Sequence, residues 1–65
     1  MAIIEFFKTT KGPLSVKQVA EALGCHIMTI YGWVEEGKIP YMRIGRRVKF
    51  DGATLAVWLD KRTLS

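Results

Sequence analysis

Two apolar stripes of helical period, separated by one glycine and running through VAEALGCHIMTIYGW, constrain this chain more than anything else in it. Ser15-Val16-Lys17-Gln18, just upstream, has capping-box form: the serine hydroxyl accepts from the backbone N–H three residues on, and Gln18 reaches back. Val16, Val19, Ala20 and Leu23 then recur at i, i+3, i+4 and i+7, which predicts one helix with one apolar face. Gly24 closes it in a left-handed conformation. A second helix is predicted over 26–36, with Ile27, Ile30, Trp33 and Val34 inward and Gly37 as its stop. Its outward stripe is Met28, Tyr31, Gly32 and Glu35.

The segment that follows, YMRIGRRVKF, alternates cations with apolar residues. Pro40 suits the first position of a strand, so an extended hairpin is predicted over 41–50. A two-residue loop at Gly45-Arg46 would pair Ile44 with Arg47 and Met42 with Lys49, mixing charge and hydrocarbon on both faces. A three-residue loop, Gly45-Arg46-Arg47, pairs Ile44 with Val48 and Met42 with Phe50 and leaves Arg43 and Lys49 on the other face. The expected register is the second. Asp51 then caps a third helix whose apolar stripe is Leu55, Trp58 and Leu59.

The ends are less informative. Ile3, Phe6 and Phe7 have helical spacing without a preceding cap, and Lys11-Gly12-Pro13 breaks whatever precedes it, so residues 1–13 form a leader that is either helix or short strand. The organised domain is expected over 14–62, with a fraying tail at 63–65. The fold class is therefore mainly α with a small β-hairpin, in the order helix, turn, helix, two-stranded wing, helix.

A chain of 65 residues is one domain at most, and catalytic clefts rarely fit in one so small. It has no apolar stretch of membrane length and no signal-peptide pattern, so a cytoplasmic location is expected. Cys25 is the single cysteine, so an internal disulfide and a cysteine-ligated zinc are excluded; Cys25 and His26 supply two ligand types where structural zinc takes four. No metal, no cofactor and no catalytic residue is expected. Cys25 belongs at a core place, and Trp33 and Trp58 read as core side chains rather than stacking platforms.

Charge is the more telling quantity. Residues 37–50 carry Lys38, Arg43, Arg46, Arg47 and Lys49 with no acid, +5 within a chain of net +4, so the remainder is −1. Such a segment is either a footprint for a polyanion or a charged strand edge that prevents sheet-to-sheet pairing.

The glycine-separated pair also has helix-turn-helix spacing: Ala20 is small where the helices cross, Gly24 lies four residues on, and Val19, Leu23, Cys25, Ile30 and Trp33 fill the apolar places. With LSVKQVAEALGC, TIYGWVEEGKIP, MRIGRRVKF and LAVWL in order, Leu14 to Leu59, 46 of the 65 residues, resembles the excisionase-type, MerR-like winged helix-turn-helix family. The resemblance implies double-stranded DNA as partner, a second helix in the major groove and a hairpin wing on the backbone or in the minor groove. It also implies a role in recombination directionality or transcriptional regulation, in a prokaryotic or phage-encoded, nucleoid-associated protein. Carried over by position, it makes His26, Ile27, Met28, Thr29, Tyr31 and Gly32 the groove-facing residues. Arg43, Arg46, Arg47 and Lys49 become the wing contacts, and Lys17 a further phosphate contact. This chain differs from the family in having His26, Met28 and Gly32 where Ser, or Arg, Ser or Asn, is usual. One small domain reads a short half-site, so cooperative copies or a homodimer are expected. The alternatives are a protein-interaction module docking through Ile27, Met28 and Tyr31, or the DNA-targeting fragment of a larger recombinase or terminase.

Overall fold

The computed structural model describes residues 2–63. Four helices, α1 (Ala2–Thr9), α2 (Val16–Leu23), α3 (Ile27–Glu35) and α4 (Gly52–Thr63), surround a small antiparallel sheet of β1 (Leu14–Ser15), β2 (Met42–Ile44) and β3 (Arg47–Phe50). The strand order is β1-β3-β2. The architecture is a winged helix-turn-helix with one helix more and one strand more than the sequence predicts.

Local chemistry accounts for the helix pair. Ser15 Oγ accepts from the Gln18 N–H at 3.1 Å while Gln18 Oε1 accepts from the Ser15 N–H at 2.9 Å, the reciprocal box the sequence spells. Removing such a cap costs about 1 kcal/mol. Gly24 has φ 71°, and the N–H groups of Gly24 and Cys25 return to the carbonyls of Glu21 and Ala20. The end of α3 repeats this, with Gly37 donating to Val34 O and Lys38 to Trp33 O. Both helices thus stop on a Schellman arrangement. His26 and Glu36 are the caps of α3, so the predicted span 26–36 is one residue long at each end.

The hairpin corrects the expected register. Ile44 pairs with Arg47, Arg43 with Val48 and Met42 with Lys49 around a two-residue turn at Gly45-Arg46. Gly45 has φ 63° and Arg46 does not share the positive value, which fits glycine at the first central position of a tight hairpin turn. Turn geometry prevails over face segregation because only β3 is central. Val48 and Phe50 share the covered face, Leu14 of β1 pairs with Phe50, and both Leu14 and Phe50 are buried. Met42 and Ile44 lie on the opposite face at an outer strand, 38% and 52% exposed, instead of in the core. Arg43 and Lys49 fall on opposite faces, not one. The strand opens at Met42 rather than at Pro40.

Other residues fill the core. Phe7, Val19, Ile30, Phe50 and Leu55 are its largest fully buried side chains, joined by Ile4 and Ile39. The leader is therefore a helix, and Ile4 and Phe7 extend the same core as it packs on α4. That seat depends on Gly52: a Cβ there would lie 2.3 Å from the carbonyl oxygen of Phe7. Asp51 caps α4 as expected, its Oδ2 accepting from the N–H and the hydroxyl of Thr54 at 2.9 and 2.8 Å. Trp33 and Trp58 are half-buried against the core edge, 6.0 Å apart, and the Trp58 indole donates to Lys38 O at 3.0 Å. Of the tail expected at 63–65, residues 64 and 65 lie outside the described residues.

Candidate nucleic-acid interface

β1 decides where the wing stands. Because Ser15 both ends β1 opposite Lys49 and caps α2, the base of the wing is hydrogen-bonded to the chain segment that starts the helix pair. A concavity of about 280 Å³ opens there, lined by Ser15, Val16 and Lys17 at the start of α2, by Ile27 and Tyr31 of α3, and by Arg46 through Lys49 of the wing. Its lining holds four cations, Lys17, Arg46, Arg47 and Lys49, and no acid.

The fold thus brings together six of the sequence-predicted residues: Lys17, Ile27, Tyr31, Arg46, Arg47 and Lys49. Ile27 and Tyr31 are four apart and share a helix face. The other five stand outside the concavity. Met28 is next to Ile27 on the solvent side, 66% exposed, with Thr29 also exposed. Gly32 has open space where a Cβ would stand, so no packing demand explains a glycine inside this helix. His26 uses its ring internally: Nδ1 accepts from the Met28 N–H at 3.0 Å and caps α3. Arg43 is on β2, the strand farther from α2, on the face of Val48.

Electrostatics divide the surface sharply. Lys17, Arg46, Arg47 and Lys49 gather at the start of α2 and the first turns of α3, whereas Glu35 and Glu36 sit exposed at the far end of α3. Glu36 holds Lys38 at 3.3 Å in a solvent-exposed ion pair, a weak interaction. Arg62 is occupied elsewhere, its guanidinium 4.6 Å above the Trp58 ring. Polyanion attraction is therefore expected at one end of the helix pair only.

Sequence reasoning missed Ser15, Val16 and Val48 as part of this site: a two-residue strand has no periodicity to read, and Val48 reads as a core residue of the hairpin. The one available signal was the capping serine, which fixes where α2 begins. Among the described residues no group of three or more His, Cys, Asp or Glu is placed to hold a metal ion. No helix among them is long and apolar enough to cross a membrane.

A family model described as a helix-turn-helix domain matches residues 13–63. No curated protein and no solved structure matches the chain.

Proposed function

Since the chain belongs to the helix-turn-helix domain family, a family of DNA-binding domains, we propose that it is a sequence-preferring double-stranded DNA binder of excisionase or MerR-like type. Its role is in recombination directionality or transcriptional regulation on prokaryotic or phage DNA in the cytoplasm. The binding unit is 14–62, with α1 docked against it. In this reading α3 enters the major groove, with Ile27, Met28, Thr29, Tyr31 and Gly32 toward the bases and His26 at the leading end. Arg46, Arg47, Lys49 and Lys17 hold the flanking phosphates or a minor-groove edge, and Arg43 adds only to the field. No catalytic step and no cofactor is assigned. Copies bind cooperatively or as a homodimer, since one half-site supports little affinity.

The observation that supports this most is the acid-free concavity where Lys17, Arg46, Arg47 and Lys49 meet Ile27 and Tyr31. Arg and Lys at such a rim release counterions from DNA, so binding must weaken as salt rises. Titration of labelled random-sequence duplexes at rising salt tests it: binding at low salt that falls linearly on log-log axes is expected, and no binding at any salt would remove the reading. A protein-docking module is the second reading, favoured by the 66% and 44% exposure of Met28 and Tyr31. It prevails if no duplex binds and Met28→Glu abolishes a protein complex.

A further inference from the structure

The exposed surface of α3 has an unusual inventory for a helix that meets base edges. It offers a thioether at Met28, a hydroxyl at Thr29, a phenol at Tyr31 and no side chain at Gly32, with the branched chain of Ile27 at the concavity. The bidentate readers of major-groove bases are Arg or Lys for guanine and Asn or Gln for adenine, and α3 has none of them. His26 Nδ1 accepts from the Met28 N–H, which leaves its Nε2–H as a single donor without the bidentate geometry that separates one base from another. The Thr29 hydroxyl bonds to any base and selects none, while its methyl can only add to an apolar contact. The one base feature that an apolar side chain distinguishes in the major groove is the thymine 5-methyl group.

We infer that α3 recognises an A·T-containing major-groove segment through thymine methyl groups, with Met28 and Ile27 as the readers. This rests on the DNA-binding reading above and specifies its target. Gly32 contributes by absence: with nothing within 4 Å of its missing Cβ, the helix can sit closer to the groove floor than a side chain would allow. Glu35 is the competing reader, since a carboxylate accepts from the cytosine amino group. It lies a full turn beyond Tyr31, at the end of α3 away from the cations that bring the phosphates in.

The test begins with selection of bound duplexes from a random pool, followed by replacement of each thymine in the selected duplex by deoxyuridine, which removes only the methyl group. The expected result is an A·T-rich core, with one or two positions where the loss lowers affinity about fourfold each, the worth of one buried methyl-sized group. Met28→Ala, at a side chain exposed enough to leave the fold intact, abolishes the thymine-over-uracil preference at one of those positions while the chain still binds. Duplexes that bind equally well with thymine or uracil throughout would overturn the inference and leave the DNA-binding reading standing. So would a G·C core whose preference disappears in Glu35→Gln. Absence of binding to any duplex at low salt would overturn both.

Discussion

The wing and α3 border the same concavity with opposite chemistry. The hairpin supplies Arg46, Arg47 and Lys49 without an acid, while α3 supplies Ile27 and Tyr31, has no cation, and ends in Glu35 and Glu36. A helix with that face has little to hold a phosphate, and cations on the backbone or in a minor groove read charge and groove width more than base identity. On the proposed DNA-binding reading, affinity and selectivity fall to separate elements joined through Ser15, which pairs with Lys49 and caps α2.

That division can be attacked at several strengths. The largest effect is expected at Gly52→Ala, where the new Cβ meets the Phe7 backbone and α1 must move off α4. Overpacking of this kind costs about 1–3 kcal/mol, visible as a lower thermal midpoint. Both elements should suffer alike, so the salt slope of the remaining folded protein stays at the wild-type value. Gly32→Ala acts oppositely on fold and function. It should raise stability by about 0.5–1 kcal/mol, because a helix-interior glycine is replaced with open space for the methyl, yet weaken duplex binding if α3 lies close in the groove. Equal or tighter binding would argue that α3 stays clear of DNA.

A smaller effect separates cations on the concavity from one outside it. Lys17→Ala should flatten the log-log salt slope by about 0.9, and Arg43→Ala should leave it unchanged. The reverse result would move the footprint to the β2 side of the wing. The least effect is expected at Asp51, which anchors α4 rather than the wing or α3. Its hydrogen bonds from the Thr54 hydroxyl and then the Thr54 N–H hold the carboxyl below its ordinary value. The folded state therefore favours the carboxylate, so the cap stabilises at neutral pH and is lost as pH falls below about 4. Asp51→Asn still caps without titrating, so the acid decline of the thermal midpoint should become shallower in that variant.

What could be read from the sequence was whatever four or five neighbouring residues decide. The Ser15-Gln18 box, the stops at Gly24 and Gly37 and the Asp51 cap are local chemistry, and each is found where the sequence places it. The wing register was not legible, because alternation along the two strands favours the pairing that buries one face of both. Met42 and Ile44 are on an outer strand that need not, and Gly45 sets a tighter turn. The burial of Phe7 was hidden because it depends on a glycine 45 positions away, which no local pattern reports. For the site, charge clustering pointed to the wing cations directly. Their approach to Lys17, Ile27 and Tyr31 follows from the Ser15–Lys49 pairing, which only the folded sheet reveals.

The most direct test is the salt dependence of duplex binding, measured side by side for the wild-type chain, Arg46→Ala/Arg47→Ala and Met28→Ala. If the wing supplies the electrostatic grip and α3 the apolar contact, the double variant flattens the log-log slope by about 1.8, two phosphates at 0.9 each, while Met28→Ala keeps the wild-type slope and only lowers affinity. An unchanged slope in the double variant would contradict the division of labour between wing and helix.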